Sequence, residues 1–134
     1  LNNLHQKTGA GMIGNLLNAM DAKDFLQGIK NILHIGCIRH TELKNKKVQR
    51  VAVCGGSGSF LIKDAISCGT DIYLTGDIKY HDFFMPGDEM ILADIGHYES
   101  EQFTKELIYT LLKKKFTTFA LFISGSNTNP VNYL

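Results

Sequence analysis

The spacing of apolar residues along this chain changes repeatedly, and the changes predict helices that alternate with strands. In residues 21–34, "DAKDFLQGIKNILH", apolar side chains recur every three or four positions, which predicts an amphipathic helix with Asp21 as its N-cap. The same spacing in residues 61–66 predicts a helix that ends before Gly69. The strongest helical pattern is "YESEQFTKELIYTLLKKKF", residues 98–116. The residues predicted to face the core from this last helix are Phe103, Leu107, Leu111 and Leu112.

Short apolar segments between these helices favour strands, because they are rich in β-branched and aromatic residues and are bounded by turn formers. The predicted strands lie in "IGCIRHT" (35–41), "VQRVAVC" (48–54), "TDIYLTG" (70–76), "EMILADIG" (89–96) and "TTFALFIS" (117–124). One helical turn is expected in "DIKYHDFFMPG", between the third strand and the fourth. The alternation predicts an α/β fold with a mixed or largely parallel sheet flanked by helices.

Length and composition limit the chain to one domain and argue against several classes of partner. With 134 residues and 44% apolar content, residues 1–134 can enclose a single ordinary core. The formal charge of +1 gives no field that would recruit nucleic acid or an anionic membrane. No run approaches the roughly twenty apolar residues of a membrane span. The three cysteines, Cys37, Cys54 and Cys68, lack CxxC spacing and indicate reduced thiols in the cytoplasm.

The first candidate site lies in "DIGHYESEQF", residues 94–103. If a helix begins near His97, then His97 and Glu101 stand one turn apart on the same face. Imidazole and carboxylate are the usual ligands of Zn²⁺, Mn²⁺ and Fe²⁺, so the pair predicts a metal site. The helix N-terminus should also disfavour imidazolium and keep the ring neutral. The alternative is an ordinary acidic first turn beside a histidine that lies at the surface or is satisfied within the core.

The second candidate is "CGGSGS", residues 54–59, between a predicted strand and a predicted helix. Backbone N–H groups at a helix N-terminus can bind an anion such as phosphate. The residues proposed to do so are Gly55, Gly56, Ser57 and Gly58. The segment has neither the Lys of a Walker loop nor a GxGxxG pattern. The alternative is a tight turn between strand and helix that needs small residues.

The third candidate is the loop "TGDIKYHDFF", residues 75–84, which brings acids, bases and hydroxyls together after a strand. Its polar residues are Asp77, Lys79, Tyr80, His81 and Asp82. Taken singly, each is an ordinary polar loop residue or cap; together they indicate a catalytic loop. All three candidate segments follow strands, and the carboxyl ends of parallel strands lie at one sheet edge. We therefore expect them to converge on one crevice.

Three motifs in this order give the chain a family resemblance. They are "RVAVCGGSGSFLIKDAISCGTDIYLTGDIKYHDFF" (50–84), "DIGHYESE" (94–101) and "NTNPVNYL" (127–134). Together they resemble the C-terminal half of the Ngg-one-interacting-factor-three-like proteins, which are also called GTP cyclohydrolase type 2 homologues or dinuclear metal-binding proteins. The resemblance covers residues 9–134. It implies one half of an intertwined two-part fold, a ring-like homohexamer and a two-metal site facing the ring interior.

The resemblance also implies roles for particular residues. His97 and Glu101 correspond to metal ligands, with two ions of Zn, Mn or Fe per full-length subunit. The remaining ligands belong to an N-terminal half, and we expect this chain, which starts without methionine, to be the C-terminal portion of a longer parent. The catalytic residues implied are Asp77 and His81. Substrate contacts are implied for Gly55, Gly56, Ser57, Gly58, Lys79 and Tyr80.

Three functional hypotheses follow. The first is a metal-dependent hydrolase acting on GTP or a related nucleotide, with an acid or base from the His81 loop and no turnover by this segment alone. The second is a metal-binding scaffold or regulatory interaction protein without catalysis. The third is a metal-free nucleotide-binding domain that uses residues 54–59 alone.

Overall fold

A five-stranded sheet forms the centre of the structure, a computed structural model that describes residues 9–44 and 46–134. Its strands are β1 (Met12–Asp21), β2 (Arg39–His40), β3 (Lys47–Ser57), β4 (Ile72–Gly76) and β5 (Ile91–Asp94). The α-helices are α1 (Ala22–Ile32), α2 (Ile62–Ser67), α3 (His97–Glu101) and α4 (Thr104–Lys115). Short 3₁₀ turns at Ser59–Leu61 and Tyr80–Phe84 precede α2 and follow β4.

The sheet is mixed, which confirms the predicted fold class. Its strand order is β1-β3-β4-β5-β2, and the three central strands run parallel. The two edge strands, β1 and β2, pair antiparallel with β3 and β5. Because β3, β4 and β5 share one direction, their carboxyl ends meet at the same edge of the sheet.

Both faces of β4 and β5 are covered, as their continuous apolar sequences predict. Every residue of β4 and β5 is buried. Ile72 and Leu74 point to one face, where they share a core with Phe25 of α1. Tyr73 points to the opposite face and shares a second core with Leu61, beside α2. Helices α1 and α2 therefore close the two sides of the sheet.

The ends of the first two helices lie where the sequence predicts them. The Asp21 carboxylate accepts a hydrogen bond of 2.9 Å from the Lys23 N–H, so Asp21 is the N-cap of α1. Helix α2 ends before Gly69, whose φ of +63° is the left-handed conformation that glycine adopts without a Cβ penalty.

The helix predicted over residues 98–116 is divided in two, and its predicted burial is wrong. Two non-helical residues separate α3 from α4. The exposed fractions of Phe103, Leu107, Leu111 and Leu112 are 41%, 59%, 58% and 37%. The spacing correctly predicted helical structure here. However, α1 and α2 already cover the two faces of the sheet against which these four side chains were expected to pack. In the described part of the chain, no helix is long and apolar enough to cross a membrane.

Residues 117–124 form no strand, and a strand that was not predicted occupies one edge of the sheet. Phe119 and Phe122 are 68% and 92% exposed, so the β-forming composition of this segment finds no partner strand among the described residues. Strand β1 instead arises from the glycine-rich opening of the chain. It pairs through its backbone with β3 and leaves Leu17 98% exposed, so its sequence lacks the burial pattern of an inner strand.

Candidate metal centre

The side chains of His97 and Glu101 lie next to each other at the carboxyl edge of the sheet. His97 begins α3, and its Nε2 atom is 3.3 Å from Glu101 Oε2. Two donors bound to one tetrahedral Zn²⁺ at about 2.0–2.2 Å would stand roughly 3.3–3.5 Å apart. Both side chains are about half exposed, at 52% and 51%. Their separation and access therefore fit a shared divalent cation.

Asp77 holds the opposite side of the imidazole ring. Its Oδ2 atom is 2.6 Å from His97 Nδ1, so the Nδ1–H donates to the carboxylate in the tautomer that leaves the Nε2 lone pair facing Glu101. Metal-binding histidines characteristically donate their second ring nitrogen to a carboxylate in this way. In this geometry Asp77 fixes the orientation of the His97 ring, and its φ of +56° is unusual for a residue other than glycine.

The charges around His97 favour its protonated form. The hydrogen bond to Asp77 raises the pKa of the His97 ring above 6.5; partial burial opposes the rise, and the negative charges of Asp77 and Glu101 add to it. This direction is opposite to the one expected from a helix N-terminus. Helix α3 has five residues, and its weak dipole is outweighed by two carboxylates in contact with the ring.

The predicted glycine turn is in fact the last part of β3, which continues to Ser57 through an irregular register. Gly56 has a φ of +62°, and a Cβ there would lie 2.6 Å from Glu101 Oε1 and 3.4 Å from His97 Cε1. Its N–H donates to Ser100 Oγ at 2.8 Å, so it is not available to bind the anion predicted from the sequence. In this structure Gly56 makes room for the side chains of Glu101 and His97.

Gly76, at the end of β4, permits a close approach that brings His97 into place. A Cβ at Gly76 would lie 2.8 Å and 2.9 Å from the backbone N and Cα of His97. The neighbouring Thr75 hydroxyl donates to the Gly56 carbonyl at 3.1 Å, which ties the ends of β3 and β4 together. The first two candidate segments and Asp77 of the third therefore meet at one place.

Gly55 also lies beside this pair, because a Cβ there would be 3.6 Å from Glu101 Cγ. Lys79, Tyr80 and His81 are exposed around the 3₁₀ turn, where the Tyr80 ring packs edge-on against His81, with centroids 5.5 Å apart. Gly58 is buried and accepts a 2.8 Å hydrogen bond from the Tyr73 hydroxyl. Ser57 is exposed at the end of β3.

A cavity of about 1000 Å³ opens beside the pair. Its walls include Asp77, His97 and Glu101 on one side and residues of the C-terminal segment 126–133 on another. Tyr133 of that segment lies 3.5 Å from the position a Cβ of Gly36 would occupy. Burial, and then the nearby charge of Glu99, raise the pKa of the Tyr133 phenol. Neither Glu99 nor Tyr133 was predicted from the sequence, since no local pattern joins residues so far apart.

The described residues supply two convergent donors and no more. Within residues 9–44 and 46–134, no group of three or more His, Cys, Asp and Glu side chains is arranged to hold a metal ion. Asp77 does not become a third donor because it contacts the ring nitrogen that faces away from Glu101. Cys37, Cys54 and Cys68 are all free thiols.

Comparison with known protein families matches this chain over residues 1–130 to the model described as Duf34/NIF3 (NGG1p interacting factor 3). The chain belongs to the Duf34/NIF3 family. The match confirms the resemblance carried by the glycine, TGDIKYHD and GHYESE segments.

Curated relatives of this Duf34/NIF3 chain include two staphylococcal proteins that bear the name GTP cyclohydrolase 1 type 2 homolog. The protein from Staphylococcus aureus strain MSSA476 is 37% identical over an alignment of 131 positions that covers 94% of this chain and 36% of the relative. The one from Staphylococcus epidermidis strain ATCC 12228 is 33% identical over an alignment of 135 positions that covers 98% of this chain and 37% of the relative. The chain thus spans little more than a third of these relatives.

Solved structures give the same picture of the fold. A hypothetical protein of Staphylococcus aureus superposes with a TM-score of 0.85 at 35% identity, over 92% of this chain and 43% of that one. A Bacillus cereus protein related to NIF3 superposes with a TM-score of 0.78 at 28% identity, over 94% of this chain and 36% of that one. The α/β fold described above is therefore the NIF3 fold.

Proposed function

We propose that this chain supplies one wall of a divalent-metal centre in a metal-dependent hydrolase acting on GTP or a related nucleotide. The observation that carries the proposal is the 3.3 Å separation of His97 Nε2 and Glu101 Oε2 at the mouth of a large cavity. The name of the staphylococcal relatives, GTP cyclohydrolase 1 type 2 homolog, supports the choice of substrate.

Each residue of the centre has a definite task in this proposal. His97 and Glu101 donate to a zinc, manganese or iron ion, and Asp77 fixes the ring orientation through Nδ1. Bound divalent cations lower the pKa of a water molecule and polarise the group under attack. His81, four residues after Asp77, is proposed as the general acid or base, and Lys79 and Tyr80 as substrate contacts. Gly55, Gly56, Ser57 and Gly58 are proposed to shape the substrate side of the site.

The proposal requires ligands beyond this chain, because two donors do not complete a two-metal site. We propose that the remaining ligands come from parts of the longer protein that this chain does not span, with two ions per subunit. A homohexamer in the cytoplasm is the assembly we propose for that protein. Free thiols at Cys37, Cys54 and Cys68 are compatible with that compartment.

The test compares a protein of the relatives' full length, carrying this segment, with its His97→Ala variant. The variant should lose stoichiometric metal and GTP turnover together, and His81→Gln should lose turnover while keeping its metal. The 134-residue chain alone should bind metal weakly and release no product. Unchanged metal content in His97→Ala would remove the ligand assignment.

A second candidate function is a metal-binding scaffold or regulatory interaction protein without catalysis. It is favoured by the two-donor set in the described residues and by the family description, NGG1p interacting factor 3. A panel of nucleotides incubated with the metal-loaded, full-length protein separates the two candidates, because a scaffold gives no product from any of them. Metal-free nucleotide binding through residues 54–59 is less well supported, since the Gly56 N–H already donates to Ser100.

A further inference from the structure

A buried carboxylate just behind the candidate metal centre contacts both loops that carry it. Asp94 ends β5 and is 6% exposed. Its Oδ2 atom accepts a 3.1 Å hydrogen bond from the Ile78 N–H, and its Oδ1 atom accepts a 3.0 Å bond from the Gly96 N–H. Asp94 therefore binds the loop after β4 and the turn before α3 at the same time.

The two amides that Asp94 binds are adjacent to two residues of the centre. Ile78 directly follows Asp77, and Gly96 directly precedes His97. Asp77 and Gly96 both have positive φ, at +56° and +84°. An aspartate in this region is uncommon and persists where surrounding contacts hold it. One carboxylate thus fixes the backbone beside both partners of the Asp77–His97 hydrogen bond.

Arg39 of β2 completes the arrangement from the side of the sheet. Its guanidinium pairs with the Asp94 carboxylate and donates to the Ile78 carbonyl at 2.9 Å. The same guanidinium stands over the Phe83 ring, 5.4 Å from its centroid. Asp94 is therefore charge-compensated, and the loop from Asp77 to Phe83 is held at both its N–H and its C=O groups.

We infer that Asp94, with Arg39 as its counter-ion, is a positioning residue that sets the Asp77–His97 hydrogen bond and through it the orientation of the metal-binding ring. The expected effect of Asp94 on metal binding rests on the proposed function. Its structural consequence is measurable without metal, because the hydrogen bond already exists in the protein alone.

The experiment compares Asp94→Asn with a matched variant at the opposite end of the sheet. Asp71 also accepts two backbone N–H bonds, from Gln49 and Arg50 at 2.8 Å and 2.7 Å. Both bonds end on Asp71 Oδ2, so Asp71→Ala is the variant that removes backbone contacts of this kind, before the first residue of β4 and away from His97. The two bonds of Asp94 end on different oxygens, so asparagine keeps one acceptor, turns an NH₂ group towards the second amide and loses one of the two bonds.

The readout is the pair of ¹⁵N ring shifts of His97 in the metal-free, full 134-residue chain. The wild type should show a protonated Nδ1 and an Nε2 with a free lone pair, at a pH where the ring is neutral. Asp94→Asn should shift His97 towards a mixture of tautomers, and Asp71→Ala should leave the tautomer of His97 unchanged although it also lowers thermal stability. A folded Asp94→Asn with the wild-type His97 spectrum overturns the inference.

A second pair of variants protects the test against misfolding. Arg39→Met removes the counter-ion while leaving Asp94 in place, and it should reproduce the tautomer mixture; Arg39→Lys should partly restore the wild-type spectrum. Identical His97 spectra in Arg39→Met and the wild type would also overturn the inference. In the metal arm, the apparent Mn²⁺ affinity of Asp94→Asn should fall about tenfold or more. If the wild-type chain binds no Mn²⁺ but Asp94→Asn still produces the tautomer mixture, the proposed function is wrong and this inference stands.

Discussion

At the scale of single residues, His97 is held from both sides of its ring. Asp77 takes the Nδ1–H, and Glu101 stands beside Nε2. Two glycines make this packing possible, because side chains at Gly56 and Gly76 would collide with Glu101 and with the His97 backbone. The candidate site therefore depends on the absence of side chains at Gly56 and Gly76 as much as on its own polar side chains.

The contact between Asp77 and His97 can be tested by measuring the pKa of His97. Asp77→Asn keeps a residue type that tolerates positive φ but removes the charge, so the raised pKa of His97 should fall back towards 6.5 in the metal-free chain. An NMR titration of the ring protons measures this. Asp82→Asn, in the same loop, is the control and should leave the titration unchanged. An unaltered pKa of His97 in Asp77→Asn would contradict the contact.

The same shift fixes the direction of a pH effect on stability. Because the folded pKa of His97 is raised above its unfolded value, the interaction stabilises the metal-free chain fully below about pH 6.5. That stabilisation disappears as the pH rises through the folded pKa. The effect should be small, since the side chains of His97 and Asp77 are each 52% exposed. Denaturant midpoints of wild type and Asp77→Asn should therefore converge at high pH.

Gly76 gives a prediction on packing. A methyl group there meets backbone atoms of His97 at 2.8–2.9 Å, so Gly76→Ala should destabilise the chain by about 1–3 kcal/mol, as overpacking does. Gly28→Ala is the matched control, since a Cβ at this helical position meets no atom within 4 Å. It should stabilise the chain by about 0.5–1 kcal/mol. Urea unfolding measures the stability of both variants. Equal unfolding midpoints for Gly76→Ala and Gly28→Ala would contradict the close approach at Gly76.

Sequence reasoning placed His97 beside Glu101 correctly because their spacing is local. His97 and Glu101 are four residues apart, and a helical turn brings them together whatever surrounds them. Asp94 and Gly76 act through backbone groups of other elements. No pattern within the chain distinguishes such a buried aspartate from an ordinary strand end, so these residues required the tertiary structure.

At the scale of elements, α1 illustrates a segment whose boundaries are encoded locally. Asp21→Ala removes the hydrogen bond to the Lys23 N–H and should lower the free energy of unfolding by about 1 kcal/mol. Asp24→Ala, in the first turn of the same helix but without a capping bond, should have a smaller effect of a few tenths of a kcal/mol. Chemical denaturation of both variants measures the difference; equal losses would argue against the cap.

The elements that were predicted wrongly are those whose partners are not local. Helix α4 has the right period, yet its apolar stripe is exposed at Leu107 and Leu111. The segment around Phe122 has β-forming composition but no strand partner in the described chain, while β1 is mostly exposed and still pairs with β3. Composition reports which residues prefer a sheet or a core. It does not report whether a sheet edge or a core is within reach.

At the scale of the whole molecule, helix α4 leaves a stripe of apolar side chains in water, with Leu107, Ile108 and Leu111 exposed to 59%, 50% and 58%. A stripe of this kind in water favours association. The 134-residue chain should therefore self-associate with rising concentration, and Leu107→Lys combined with Leu111→Lys should weaken that association. Sedimentation velocity over a concentration series measures it, with Lys63→Glu as a surface control on α2. A wild type that stays monomeric throughout would contradict the prediction.

The central claim, that His97 and Glu101 together bind a divalent cation, is tested most directly by titrating Mn²⁺ into the ¹⁵N-labelled chain. Mn²⁺ accepts carboxylate and imidazole donors and broadens the NMR signals of nearby nuclei, so even weak binding is localised. Residues 55–57, Asp77 and residues 96–101 should broaden first, and His97→Ala and Glu101→Gln should abolish that selectivity. Broadening that begins elsewhere, or that persists unchanged in His97→Ala, would contradict the account.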